Sequence, residues 1–452
     1  MKNKLSLLAV VALFLLFSCD QPEKKKSIKH NFPSYNNNFP PPVGTKDIFE
    51  LSQDYPDTFK VDEKYPWVAI DFKTDYEKYM KSVLDYCLEG NIDVDFKVQN
   101  NKIRKWYHAP WLHSGTNGRE YHHGLTRERR VPKWEISPTT QDTALENWAI
   151  GFYNPPGGFT IGRVWNSDSI PSVSLADFPE GTVSFKLLFT HSPVEKLPFL
   201  AGTKTWLANI YKCDPRDTTC AKRRDDDTVR LLQIDIAVKD KRAGPTGWVF
   251  GTFIFDASKN GSTVWDKIVP VGLMWGDDSV VDTLMNKERA FINPSLKETV
   301  LNSYLMPGTP IPLNRAFMNH HGLGGRLNGP VDNPISSCIS CHSKALVTDN
   351  GSPAPLAEFA LNRKNFNCMS FYKYFSTIRG GNGQFDFVDT TLKTFNKLDY
   401  SLQLAVGIRN FYQAKLDSIK KLRANIRNFK VENFKAEEES IQDLPEVSRG
   451  GN

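Results

Sequence analysis

The chain has 452 residues with a formal net charge of +6 at pH 7, of which 24% are charged and 40% hydrophobic. That length suffices for two or three domains, each with its own core. Lys and Arg are spread rather than blocked, so nucleic acid is not an expected partner. Past the N-terminal run no apolar stretch is long enough to span a bilayer.

At the N-terminus Lys2 and Lys4 precede an apolar run from Leu5 to Phe17. A positive start followed by a short apolar stretch reads as an export signal, assigned to residues 1–18. The ending Leu16-Phe17-Ser18-Cys19 resembles the lipobox of bacterial lipoproteins. That resemblance implies that Cys19 is lipidated, becomes the mature N-terminus and anchors the chain to the periplasmic or cell-surface face of a membrane; the alternative is an ordinary signal peptide cut elsewhere. Residues 19–56 carry Lys24-Lys25-Lys26, Asn36-Asn37-Asn38 and Pro40-Pro41-Pro42. So little apolar content predicts a flexible tether.

Residues 57–300 read as a β-rich domain. A short extended piece at Trp67-Val68-Ala69-Ile70 and a helix beginning near Tyr76 come first. Val183, Phe185, Leu187 and Phe189 then alternate with Ser184 and Lys186, and Leu232, Ile234, Ile236 and Val238 with Gln233 and Asp235. Trp248 to Phe255 is a further strand-like run before the turn Lys259-Asn260-Gly261. Period-two alternation bounded by turn residues is the strand signal. Successive strands without helices between them favour an antiparallel sandwich-like or barrel-like domain.

Within this region, His108, His113, His122, His123, Arg119, Arg127, Arg129 and Arg130 fall in one segment. None of these histidines has the i, i+4 spacing of a helical metal pair. A metal site, the binding of a haem propionate or an anionic substrate, and a solvated, hydrogen-bonded loop are the three readings. Trp106, Trp111, Trp134, Trp148 and Trp165 could form a stacking platform for a ligand or fill a core. Asn154-Pro155-Pro156-Gly157-Gly158 reads as a turn. There is no G-x-S-x-G, P-loop or dinucleotide fingerprint.

Residues 301–430 differ in character, since all ten tryptophans lie at or before Trp275. Helices are expected from Pro294 to Leu305 and from Leu398 to Ile426, and residues 431–452 form a polar, loose tail. Between them stands Cys338-Ile339-Ser340-Cys341-His342, or C-x-x-C-H. Two thiols three positions apart sit on one helical turn, where they can add to the two vinyl groups of a haem. His342 then presents an imidazole to the iron. A C-x-x-C can also be half a zinc site or a redox dithiol. For the second axial position the candidates are Met369, His320 and His321, with an open position as the remaining option.

Seven cysteines minus Cys19, Cys338 and Cys341 leave four. In an oxidising compartment an even remainder suggests disulfides. Cys213 and Cys220 flank a polar turn, and Cys87 with Cys368 follows by elimination.

The pentapeptide and the helical C-terminal segment resemble the cytochrome c superfamily. That resemblance implies a mostly helical domain, one covalent haem c and His342 on the iron. The runs His123-Gly124-Leu125-Thr126-Arg127-Glu128-Arg129 and Asn328-Gly329-Pro330-Val331-Asp332-Asn333-Pro334 resemble those of uncharacterised exported cytochrome-like proteins. The expected fold is multidomain α+β, a β-rich antiparallel sandwich-like N-terminal domain followed by a mostly helical cytochrome c-like domain. The leading functional expectation is a lipid-anchored monohaem cytochrome exchanging single electrons with a redox partner protein. The alternatives are a haem-dependent oxidoreductase or peroxidase acting on a small-molecule ligand, and a surface ligand-binding lipoprotein with structural or sensory haem.

Overall fold

The computed structural model describes residues 32, 49, 52–60, 64–112, 125–133, 135–137, 140–166, 170–211, 224–277, 290–292, 326–327, 329–333, 336–348, 374–376, 378–388 and 392–425. Its dominant element is an eight-stranded antiparallel sheet. The strands are β1 (Thr126–Arg127), β2 (Asn147–Tyr153), β3 (Val183–Thr190), β4 (Thr205–Tyr211), β5 (Arg224–Lys239), β6 (Trp248–Phe255), β7 (Ile268–Trp275) and β8 (Ala290–Ile292). Their order is β1-β2-β3-β5-β6-β7-β8, with β4 paired to β5. β5 is long enough to serve two neighbourhoods: its first half pairs with β4, and its second half lies between β3 and β6. The helices are α1 (Tyr76–Leu88), α2 (Pro155–Val164), α3 (Cys338–His342) and α4 (Leu402–Asn425). β9 (Leu346–Thr348), β10 (Gln384–Val388) and β11 (Leu392–Lys397) form a second sheet, in the order β10-β11-β9.

Alternate residues of a strand point to opposite faces, and the register makes those faces unlike. Phe152 pairs with Phe185, and Phe185 with Ile236, so one face is aromatic and aliphatic. Phe152 and Phe185 stack with centroids 4.8 Å apart, and Trp106 meets Phe185 edge-on, also at 4.8 Å. Tyr79, Met80, Val83 and Leu84 of α1 are buried in the same cluster. On the other face Gly151, Lys186, Asp235 and Thr252 form one row across four strands, and Tyr153, Ser184, Ala237 and Phe250 the next.

The mostly helical cytochrome c-like domain expected after residue 300 is not what forms, and neither is a two-sheet sandwich. Among the described residues the strands of the β-rich region lie in one sheet. Among the described residues beyond 326, α3 is a single turn, α4 is the one long helix, and three strands build the small second sheet. Leu327, Val331, Ile339, Leu398, Leu404 and Phe411 join the same hydrophobic cluster as the large sheet. They are buried by packing over the large sheet, while Leu346, Ile378 and Phe395 form a small separate cluster.

Three local readings are also corrected. Trp67 to Ile70 is a pair of overlapping turns rather than an extended piece, with Val68 N–H bonded to Tyr65 C=O and Ile70 N–H to Trp67 C=O. The run from Asn154 opens α2. Asn154 caps it by accepting from Gly157 N–H at 3.4 Å, and the two prolines occupy first-turn positions that need no N–H donor. Gly158 is needed there because a Cβ would lie 2.4 Å from the Tyr107 ring. The final helix starts at Leu402, four residues later than expected, because Asp399 and Tyr400 take positive φ. The helix expected at Pro294 to Leu305 lies outside the described residues.

The unlike faces give an expected contrast in stability. Phe185→Ala should cost about 3–5 kcal/mol of unfolding free energy, whereas Ser184→Ala on the opposite face should cost about 1 kcal/mol or less. Urea unfolding of the two variants measures this, and equal losses would contradict the assignment of faces.

Candidate functional site

α3 is capped by Ser337, whose hydroxyl accepts from Ser340 N–H at 3.0 Å. One helical turn then places Cys338, Cys341 and His342 at i, i+3 and i+4, on one face. These three are half-buried, while Ile339 and Ser340 point inward and are buried. Neither thiol is in a disulfide, and that of Cys338 donates to the Leu327 carbonyl at 3.7 Å. Burial pushes the Cys341 thiol up to about 12, so it is protonated at neutral pH.

His342 is held from two sides. Its Nδ1–H donates to the backbone carbonyl of Tyr400 at 2.9 Å, and its ring lies 4.7 Å from that of Phe250. The carbonyl can only accept, so Nδ1 carries the proton and Nε2 keeps its lone pair. Burial, opposed in part by the Tyr400 bond, lowers the imidazole pKa to about 4. His342 is therefore neutral at neutral pH, the state a metal ligand requires.

Cys338, Cys341 and His342 border a cavity on the second face of the large sheet, with a volume of about 150 Å³. Its floor is the sheet, from Ala149 and Gly151 across Lys186 and Asp235 to Phe250. Val331, Asp332 and Asn333 form one side, and Leu402, Gln403 and Val406 of α4 another. Gly151 leaves room for Gln403: a Cβ there would lie 1.9 Å from its amide nitrogen, and the end of that side chain would have to move.

The floor carries charge. Lys186 Nζ lies 3.5 Å from Asp235, which also accepts from Gln233 and Thr252 at 2.7 Å each. Burial acts to lower the Lys186 pKa, but Glu128, Asp235 and Asp332 outweigh it and hold the ammonium above its usual range. Asp332 is pushed up to about 6, first by burial and then by Asp235. The two sequence runs singled out above meet here: Arg129 bonds the carbonyls of Val331 and Asp332, at 3.4 and 3.3 Å, while pairing with Glu135 at 2.7 Å.

Two thiols one turn apart and a neutral imidazole with an available Nε2 border the cavity, the donor types that a haem c would use. A zinc site is less well served, because among the described residues no group of three or more His, Cys, Asp and Glu could hold a metal ion. Met369, His320, His321 and Cys19 lie outside the described residues, as do Cys213, Cys220, Cys368, His113, His122, His123, Arg119 and Trp134. Cys87, assigned to Cys368 by elimination, is a free thiol buried in α1.

Other members of the histidine- and arginine-rich segment have structural work. His108 Nδ1 accepts from Ser52 N–H at 3.0 Å, and its ring packs 4.7 Å from that of Phe152. Arg127 bonds Glu146 at 3.0 Å, and Arg130 pairs with the same carboxylate at 3.1 Å. Trp106, Trp148 and Trp165 are fully buried, and Trp111 packs edge-on to Phe411. These tryptophans fill the core rather than form a platform. Sequence reasoning passed over Lys186, Asp235, Gln403 and Tyr400. For the first two a signal existed, a charged residue within each largely apolar run, Val183–Phe189 and Leu231–Val238, where a solvent face was the simpler reading.

No family model matches this chain, and neither a curated protein nor a solved structure matches it.

The raised pKa of Asp332 has a signed consequence. An acid with a higher pKa folded than unfolded favours folding at low pH, and that contribution is lost as pH rises from about 4 through about 6. Asp332→Asn should therefore be more favourable to stability, relative to the parent, at pH 7 than at pH 3.5. Urea midpoints at both pH values test this; a pH-independent difference between the two proteins would refute it.

Proposed function

We propose that this protein is an exported, membrane-anchored c-type cytochrome that holds one haem c in the cavity and exchanges single electrons with a partner. The observation that carries the reading is the C-x-x-C-H turn opening onto the cavity, with the His342 Nε2 lone pair available. Cys338 and Cys341 would form the two thioether bonds and His342 would bind the iron, and the bound group would supply one-electron chemistry between Fe(III) and Fe(II). Phe250, Trp248, Leu402 and Val406 offer apolar wall area to a flat aromatic ring. Tyr400 fixes the tautomer and orientation of His342 and raises its basicity as a ligand. The export signal and Cys19 supply the anchor. Among the described residues no helix is long and apolar enough to cross a membrane.

A specific observation favours a second reading, a haem enzyme acting on a small ligand. Among the described residues the Lys186 ammonium has Asp235, at 3.5 Å, as its one ion-pair partner. Nearby, Gln403 Oε1 is buried without a hydrogen-bond partner. Gln403 lies over Gly151, which pairs directly with Lys186, so an acceptor and a donor are neighbours on the cavity floor. A small polar molecule would find both there.

Visible spectra of the reduced protein with and without carbon monoxide separate the two. A low-spin spectrum unmoved by carbon monoxide means two filled axial positions and supports electron transfer; a high-spin spectrum that shifts supports the second reading. In that second case Lys186→Met should weaken cyanide binding about tenfold, the worth of one hydrogen bond from a charged donor. Unchanged affinity would remove Lys186 from ligand binding.

A further inference from the structure

The turn that presents the Tyr400 carbonyl to His342 is unusual. Asp399 and Tyr400, consecutive residues and neither a glycine, have φ of 43° and 67°. L-residues hold such a conformation only where their surroundings impose it. Here the imposing group is the Asp399 carboxylate, which is fully buried. Lys239 Nζ donates to both of its oxygens at 2.7 Å. Trp248 Nε1 and Gly381 N–H donate to Oδ1, at 3.0 and 2.6 Å, and Phe178 N–H donates to Oδ2 at 2.9 Å. These donors come from β5, from β6 and from two separate loops.

The next residues are anchored as firmly. The Tyr400 hydroxyl donates to the Ile378 carbonyl at 2.5 Å. Ser401 Oγ pairs with the Tyr153 hydroxyl at 2.8 Å and accepts from Leu404 N–H at 3.2 Å, in the first turn of α4. Between these anchors the Tyr400 carbonyl has one orientation, toward His342 Nδ1. A buried ion pair is a weak source of stability. A carboxylate with every lone-pair direction engaged is a strong source of position.

We infer that Asp399 is a positioning residue for His342: by clamping the Asp399–Tyr400 turn it sets the hydrogen bond from Nδ1 and, through it, the electron donation of Nε2 to the iron. The inference rests on the haem c reading above. A strong bond from Nδ1–H gives the imidazole anionic character, which favours Fe(III) and lowers the reduction potential. Loosening the clamp therefore raises the potential without touching the thioether bonds.

The test uses the haem-loaded full chain and its Asp399→Asn variant. It compares covalent haem content, midpoint potential and solvent exchange of the His342 Nδ1 proton by NMR. The expected result is unchanged haem content, a potential shifted upward and exchange about tenfold faster as the bond opens more often. Should Asp399→Asn fail to fold, Lys239→Gln keeps a donor while removing the charge, and a smaller shift in the same direction is expected. A folded variant of lower stability whose potential and proton exchange match the parent overturns the inference and leaves Asp399 a purely structural residue. Absence of covalent haem from the parent protein overturns the haem reading itself, and this inference with it.

Discussion

An antiparallel sheet sends alternate side chains to opposite faces, and the rest of this structure depends on how differently those two faces are furnished. One face is filled by Phe152, Phe185, Ile234 and Ile236 and packs on α1 and Trp106. Burying side chains of that size contributes about 1.5–3 kcal/mol each. The other face carries Gly151, Ser184, Lys186 and Asp235, which cannot close a dry core against apolar groups. A cover that leaves space is the solution adopted, and the cavity is that space.

The described segments from residue 326 onward are the cover, and their construction explains why the C-x-x-C-H turn lies where it does. α3 is too short to be stable alone. It is held by the Ser337 cap, by Ile339 in the common core and by the His342–Tyr400 hydrogen bond. α4 completes the enclosure, with Leu404, Ile408 and Phe411 buried and Gln403 laid over Gly151. The Asp399–Tyr400 turn joins the second sheet to α4 and links β5 and β6 to the imidazole. Position is what these buried polar contacts supply; the aromatic face supplies stability.

Much of the large sheet was legible in the sequence because period-two alternation is a local signal. β3, β5 and β6 contain the runs Val183–Phe189, Leu232–Val238 and Trp248–Phe255. The helix expected to begin near Tyr76 does begin there. C-x-x-C-H was legible as chemistry, since its five residues are contiguous. What the sequence concealed was non-local. Nothing in the pentapeptide says that its turn packs on a β-sheet, and the resemblance to helical cytochromes pointed elsewhere. Lys186 and Asp235 looked like solvent-facing residues because the cover that encloses them is about 100 residues further along the chain or more. Asn154-Pro155-Pro156-Gly157-Gly158 has the composition of a turn, yet its prolines sit where a helix tolerates them and its glycines where neighbours crowd.

The central claim is that Cys338 and Cys341 bind haem covalently at the mouth of α3. Intact-mass analysis of denatured protein, exported from a host competent in haem attachment, tests it most directly. The account expects one haem retained per chain through denaturation, and none in the Cys338→Ala, Cys341→Ala double variant. Release of all haem from the parent on denaturation, or equal covalent haem in the double variant, would contradict it.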